Sequence, residues 1–234
     1  MLILALDTST PVGSVALLSD ETVLARASAD VKGQHGELLI GTIARCLEEG
    51  GRTLADVDLL AVGIGPGSFT GVRVGVATVK GLALSNGLPL IGVVSLGAMA
   101  RSVGPGEGVV APLVHAHRGE VYAAVYRRDD AGPQILVEPF NALPAEAARQ
   151  IREAAGGAPL LVLGDGYRRY AAAFGEHLGV FDAAPEAHDA PDAAAIGLEG
   201  RCRFVADGPD DTAALEPLYV RPSDAKLPAT PLEV

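Results

Sequence analysis

Two histidines spaced two residues apart are the pair in this 234-residue sequence that most resembles a metal site. On a strand, His115 and His117 would face the same side and could offer two ligands. Metal sites in proteins take three or four ligands, and no third ligand is evident here. The remaining histidines, His35, His177 and His188, form no His-x-x-x-His pair. We therefore predict no metal site and a structural role for the pair.

The stretch Gly63–Leu84 is the second place where the residue types suggest chemistry, because glycines surround Ser68 and Thr70. Phosphate-binding loops of nucleoside triphosphatases continue with Gly-Lys-Ser/Thr, which is absent from this stretch. Ser68 lies in Gly-Ser-Phe-Thr-Gly and not in Gly-x-Ser-x-Gly, so the stretch lacks the nucleophile elbow of hydrolases. The sequence presents no evident nucleophile–base pair, and we predict no catalytic residue.

A strand and a helix must position this glycine-rich loop. A buried strand is predicted to end at Gly63, and a helix is predicted over Thr70–Ser85. Ser68 or Thr70 can cap its first turn, and Asn86-Gly87 ends it.

One face of this helix is nearly bare of side chains, because Gly71, Gly75 and Thr78 lie at positions i, i+4 and i+7. Each interior glycine costs about 1 kcal/mol compared with alanine, so we expect a compensating close contact. The sequence leaves two explanations open. The face packs against the protein's own sheet, or it forms a groove for a helix of a second subunit.

Composition restricts the class of protein. Hydrophobic residues make up 49% of the chain and the net charge is −11, which argues against a nucleic-acid groove of its own. Cys46 and Cys202 are far apart and lack metal-site spacing, as expected for a reducing compartment. The apolar run at Met1–Leu6 is too short for a signal peptide, and no run is long enough to cross a bilayer. We therefore expect a soluble, cytoplasmic protein without membrane contact.

The order strand-strand-strand-helix-strand-helix occurs twice, on either side of Gly104-Pro105-Gly106. This repeat predicts a duplicated α/β protein. We expect an N-terminal domain over residues 1–103, a C-terminal domain over 109–221 and a tail over 222–234.

Duplicated domains of this order resemble the two-domain, ribonuclease H-like plan of the actin-like ATPase superfamily. In that plan the first hairpin turn wraps nucleotide phosphates, with an aspartate holding magnesium through water and hydroxyl groups contacting phosphate oxygens. The matching candidates for a nucleotide-facing role are Asp7, Thr8, Ser9, Thr10 and Ser14. An Asp-Thr-Ser-Thr sequence also forms an ordinary Asx turn, so a structural role stays open.

Four segments between residues 3 and 221 together resemble the bacterial TsaB (YeaZ) family of tRNA threonylcarbamoyladenosine biosynthesis proteins. They are LALDTST, IGPGSFTGVRVGVATVKGLA, RGEVYAAVY and PLYVR. The resemblance implies a non-catalytic member of the actin-like plan. Such a subunit binds and activates a paralogous TsaD-type subunit, which transfers a threonylcarbamoyl group to adenosine 37 of tRNAs reading codons that begin with A.

The resemblance also implies partners and a partner surface. The surface lies on the helices predicted over Gly36–Glu49 and Thr70–Ser85, and its candidate residues are Leu39, Ile43, Gly71, Arg73, Gly75 and Thr78. Further expectations are a homodimer when the chain is alone, a TsaE-type ATPase in the larger complex and tRNA contact only through the complex. The chain alone is expected to require no cofactor, and ATP or ADP with Mg are candidates in the complex.

One position departs from the family pattern. Relatives commonly carry aspartate at the end of the second domain's first strand, where this chain has His115. The departure weakens a stand-alone actin-like ATPase or phosphotransferase, which is the alternative function that the Asp7 turn favours.

Overall fold

The computed structural model describes residues 1–30 and 35–220, which form two five-stranded mixed sheets. Sheet 1 contains β1 (Leu2–Asp7), β2 (Val12–Ser19), β3 (Thr22–Asp30), β4 (Leu59–Gly63) and β5 (Leu90–Val93). Sheet 2 contains β6 (Val109–His115), β7 (Val121–Arg127), β8 (Gln134–Ala142), β9 (Leu160–Leu163) and β10 (Asp182–Ala183). The α-helices are α1 (His35–Glu49), α2 (Phe69–Asn86), α3 (Ser95–Ser102), α4 (Pro144–Ala155), α5 (Asp165–Arg169), α6 (Ala171–His177) and α7 (Ala193–Asp207). Short 3₁₀ helices occur at Leu54–Asp56, His117–Gly119 and Glu186–His188.

The two sheets have the same topology. Sheet 1 has the order β3-β2-β1-β4-β5, and sheet 2 has the corresponding order β8-β7-β6-β9-β10. In each, the first strand pairs antiparallel with the second and parallel with the fourth. This correspondence confirms the predicted duplication.

Sheet 1 is buried on both faces. All six residues of β1 are buried, as expected for a strand that reads as a continuous apolar run. On one face, Leu39 of α1 and Val76 of α2 pack with Leu4 and Leu60. On the other face, Ile196 of α7 packs against the sheet. The apolar stripe of each helix therefore covers the sheet.

Helix α3 lies between the two halves of the molecule. Its residues Leu96 and Met99 pack with Val110 of β6 and Tyr126 of β7. The sequence assigns α7 and residues 208–220 to the C-terminal domain, and in the structure both pack beside sheet 1. The domain bounds at 103 and 109 stay a prediction. The predicted tail 222–234 and Arg221 lie outside the described residues.

Two irregularities of the elements have local causes. The helical segment after β9 is divided into α5 and α6, because Tyr170 has φ −118° and ψ 28°. Strand β8 continues to Ala142, because its pairing with β7 resumes after an irregularity. Within residues 1–30 and 35–220, no helix combines the length and apolar character needed to cross a membrane.

Candidate functional site

The turn between β1 and β2 is closed by its own hydrogen bonds. Asp7 Oδ1 accepts from the backbone N–H of Ser9 at 2.7 Å and from Ser9 Oγ at 2.6 Å. Asp7 Oδ2 accepts from Ser95 Oγ at 2.5 Å, and Ser95 Oγ accepts from the N–H of Gly65 at 3.1 Å. The carboxyl group therefore joins the end of β1 to the glycine-rich loop and to the start of α3.

Helix α2 crosses this turn in close contact. A Cβ atom on Gly71 would lie 2.1 Å from Thr8 O, and one on Gly75 would lie 2.3 Å from Thr8 Oγ1. Thr8 Oγ1 donates to Gly71 O at 2.8 Å, and the N–H of Ser68 donates to Ser9 O at 2.7 Å. Glycine is required at both helix positions because any side chain would overlap the turn.

All five predicted nucleotide-facing residues lie together at this edge of sheet 1, and each makes hydrogen bonds within the protein. Asp7, Thr8, Ser9 and Thr10 are at most 4% exposed. Thr10 Oγ1 donates to the backbone oxygen of Val12 at 3.0 Å. These hydrogen bonds are those expected for the structural Asx turn. That the same residues contact a nucleotide stays a prediction.

Ser14 connects β2 to α7. Its Oγ donates to Pro191 O at 3.1 Å and accepts from the N–H of Ala193 at 3.0 Å. The hydroxyl thus satisfies a backbone donor at the start of α7, where intrahelical partners are missing.

Burial shifts the ionisation of the Asp7 carboxyl group in the β1–β2 turn. Removal from water raises the pKa of Asp7 above its ordinary value, and the hydrogen bonds from Ser9 and Ser95 oppose that rise. The acid at the end of β1 is therefore a buried connecting group whose two oxygens both accept hydrogen bonds.

The equivalent position of sheet 2 is more open. His115 ends β6, its backbone N–H donates to Asp165 Oδ1 at 2.8 Å, and its Nδ1 lies 3.4 Å from the hydroxyl of Tyr170. Partial burial lowers the pKa of His115, and the cation of Arg169 lowers it further. Both effects favour the neutral imidazole, and the carboxylate of Asp165 opposes them.

His117 does not share a strand with His115. It is exposed and lies in the 3₁₀ helix His117–Gly119, because β6 ends at His115. Across residues 1–30 and 35–220, no cluster of three or more potential metal-ligating side chains occurs.

One serine–histidine contact was missed in the sequence analysis. His188 Nδ1 lies 2.9 Å from Ser102 Oγ, which also donates to Met99 O at 2.8 Å. A hydroxyl has one proton, and Ser102 donates it to the backbone oxygen of Met99. The imidazole of His188 must therefore donate its own N–H to Ser102 Oγ. A base that activates a serine must accept its proton, so this arrangement is structural. The 86 residues that separate the pair in sequence leave no spacing signal.

The predicted partner-interface residues divide into a buried and an accessible group. Leu39 and Ile43 are buried in the core of sheet 1, and Gly71 and Gly75 are buried against Thr8. Of the two explanations that the sequence leaves open for this face, the contacts at Gly71 and Gly75 favour packing within the chain, because its own β1–β2 turn lies against both glycines. Arg73 is exposed and Thr78 is half-buried.

The accessible side of α1 and α2 carries apolar residues that were not predicted. Phe69 is 55% exposed and Leu84 is 71% exposed, and they lie on the same side of α2 as Arg73. Periodicity indicates the exposure of Leu84, which lies five residues after the buried Val79, but not that of Phe69, which lies three and seven residues before the buried Val72 and Val76. We define the outer face as the exposed residues Leu38, Ile40, Gly41, Ala44, Phe69, Arg73, Ala77, Gly81 and Leu84.

Comparison with known proteins identifies the family. A family model described as "TsaD: tRNA N6-adenosine threonylcarbamoyltransferase" matches residues 28–159. The tRNA threonylcarbamoyladenosine biosynthesis protein TsaB of Bacillus subtilis is 32% identical over 164 residues, which cover 70% of this chain and 71% of that protein. The chain belongs to the TsaB family. The TsaB protein of Escherichia coli is 42% identical over 134 residues, and this match spans 58% of that protein, less than two thirds of its length.

Solved structures agree with the TsaB assignment and with the fold. YeaZ from Pseudomonas aeruginosa has a TM-score of 0.78 and 27% identity, covering 93% of this chain and 99% of that one. A ROK hexokinase from Thermus thermophilus has a TM-score of 0.51 and 13% identity, covering 88% of this chain and 100% of that one, and shows the fold alone. The family resemblance and the duplicated actin-like fold predicted from sequence are both confirmed.

Proposed function

We propose that this chain is a non-catalytic subunit that binds and activates a TsaD-type catalytic subunit. The reaction is threonylcarbamoylation of adenosine 37 in tRNAs reading codons that begin with A. Membership of the TsaB family supports a role in this tRNA modification, because the relatives of the chain are named for tRNA threonylcarbamoyladenosine biosynthesis. The observation that carries the subunit role is the outer face of α1 and α2.

The outer face has the composition of a protein–protein contact. Phe69 and Leu84 are more than half exposed on α2, and Ile40 is 52% exposed on α1. Contiguous apolar surface marks interaction sites in soluble proteins, and we propose that these exposed side chains contribute to such a surface. Small residues at Ala77 and Gly81 let a partner helix approach closely, because a helix–helix distance depends on the side chains at the contact. The same face supports self-association when the chain is alone.

The contacts of the β1–β2 turn support a role without catalysis. The hydroxyl groups and the carboxylate that would face a nucleotide are engaged with Gly71, Ser95 and each other. We propose that the chain requires no cofactor of its own, and that ATP or ADP with Mg belongs to the complex. A TsaE-type ATPase completes that complex, and the net charge of −11 favours tRNA contact through other subunits.

The alternative, a stand-alone ATPase or phosphotransferase, has weaker support. Asp7 is buried, and His115 stands where an acidic residue would face the nucleotide. The likeness to the ROK hexokinase extends only to the fold.

A binding titration with the TsaD-type subunit of the same organism tests the proposal. Ala77→Arg places a long charged side chain in the middle of the outer face, and we expect it to abolish the complex without changing the melting temperature. Ala206→Arg is the matched control, because Ala206 is exposed on α7, across sheet 1. Wild-type affinity in Ala77→Arg would contradict the proposed surface.

A further inference from the structure

We propose that Phe69, Arg73 and Tyr219 form the anchor of the partner-docking surface and that the partner presents a carboxylate to Arg73. This inference rests on the proposed function and adds to it a residue outside the two helices. It also specifies the chemistry of the partner.

Tyr219 reaches α2 through residues 208–220, which we call the C-terminal strap. The strap has no regular secondary structure, but backbone hydrogen bonds fix its course. The N–H of Asp210 donates to Leu90 O at 2.9 Å, and the N–H of Leu218 donates to Ile64 O at 2.8 Å. Lys80 Nζ donates to the backbone oxygens of Ala213 and Leu215, each at 3.0 Å. The strap therefore holds Tyr219 beside the first turn of α2.

The side chains of Phe69 and Tyr219 contact the guanidinium group of Arg73 from two sides of the cluster. Arg73 Nε donates to the hydroxyl of Tyr219 at 2.7 Å. Its guanidinium carbon lies 3.7 Å from the centre of the Phe69 ring and 5.6 Å from that of Tyr219. Phe69 is 55% exposed and Tyr219 is 47% exposed, so the cluster is accessible to a partner. A side chain fixed before binding loses less entropy when a partner docks.

The residue types and their location fit a binding anchor. Arginine and aromatic residues are enriched among the side chains that dominate binding energy at interfaces. Phe69, Arg73 and Ala77 are spaced four residues apart on α2, so the cluster is continuous with the rest of the outer face. The planar guanidinium group matches the geometry of a carboxylate.

Charge favours an acidic partner over a second copy of this chain. The chain has 29 acidic and 18 basic residues, but α2 carries Arg73 and Lys80 and no acidic residue. In a two-fold homodimer the outer face meets itself, and the residues that define it would bring one arginine from each copy and no carboxylate. A partner that carries an acidic group opposite Arg73 gains a charge-assisted hydrogen bond.

Calorimetric titration of the full-length chain with the TsaD-type subunit tests the inference. We expect Arg73→Gln to weaken binding about tenfold or more, Arg73→Lys to weaken it less, and Tyr219→Phe to weaken it about threefold. Raising the salt concentration should weaken wild-type binding more than Arg73→Gln binding, because salt screens the charge pair. Arg149→Gln, on the exposed side of α4, is the control and should bind like wild type with the same salt dependence.

Each other outcome overturns the inference in a distinguishable way. If Arg73→Gln binds like wild type while Ala77→Arg does not, the anchor is wrong and the proposed function stands. If both bind like wild type, the proposed surface is wrong as well. If Arg73→Gln impairs only self-association, the occupant is a second copy and not an acidic partner. If Arg149→Gln weakens binding as much as Arg73→Gln, the effect is general electrostatics and not a specific contact.

Discussion

Substitution of Gly75 by alanine tests whether the β1–β2 turn fills the bare face of α2. In an open helix position this change stabilises a protein by about 1 kcal/mol. At Gly75 the new Cβ would lie 2.3 Å from Thr8 Oγ1 and 3.3 Å from Leu6 Cδ1. Thr8 is fully buried and donates to Gly71 O at 2.8 Å, so it cannot move without losing that bond.

The opposing contributions decide the sign of the effect. Overpacking a core costs about 1–3 kcal/mol, and the lost hydrogen bond costs about 1 kcal/mol more. After the gain in helix propensity, we expect Gly75→Ala to lower the free energy of unfolding by about 1–3 kcal/mol. Gly75→Ala is therefore expected to destabilise the protein, whereas the same substitution at an open helix position stabilises it.

Gly81→Ala is the matched control on the same helix. A Cβ at Gly81 has no neighbour within 4 Å, so the substitution should raise the free energy of unfolding by about 1 kcal/mol. Urea unfolding of the two variants and of wild type gives the comparison, and in a chain of this size 1 kcal/mol shifts the melting temperature by about 2–4 °C. Equal stability of Gly75→Ala and Gly81→Ala would mean that the turn does not occupy the face and that the groove is open.

Three further predictions follow from the same contacts. Burial raises the pKa of Asp7 above 3.8, so its carboxyl stabilises the fold fully below that pH and loses this contribution as the pH rises through the folded pKa. Urea unfolding at a series of pH values should therefore show Asp7→Asn gaining stability relative to wild type as the pH rises from about 4. A stability difference that does not change with pH would contradict this prediction. Ser68→Ala removes the hydroxyl that accepts from the N–H of Gly71 at 3.2 Å, and should lower the free energy of unfolding by about 1 kcal/mol in the same measurement. The isolated chain should release phosphate from ATP no faster than a buffer control, and turnover that Asp7→Ala abolishes in folded protein would support the ATPase alternative.

Local sequence signals were sufficient for the elements around the glycine-rich loop. The N-cap at Ser68 and the left-handed Gly87 at the C-terminus of α2 follow from capping chemistry, which depends on a few neighbouring residues. The duplicated topology followed from the repeated order of strands and helices. The caps could be predicted because each depends on residues that are close in sequence, and the topology could be predicted because the order of elements repeats.

Features that depend on distant contacts could not be predicted in the same way. The periodicity of Gly71 and Gly75 indicated a close approach, but it could not specify that the approaching group is Thr8, 63 residues before Gly71. The contact between Arg73 and Tyr219 joins residues 146 positions apart, so neither residue gives a spacing signal. The candidate docking surface therefore required the three-dimensional arrangement of the chain.

Formation of threonylcarbamoyladenosine on tRNA is the most direct test of the proposed subunit role. The TsaD-type subunit and the remaining components of the modification reaction are assayed with wild-type chain, with Ala77→Arg or with no addition. We expect modification with wild-type chain and background levels with Ala77→Arg and without the chain. Modification that proceeds equally well without the chain, or with Ala77→Arg as well as with wild type, would contradict the account.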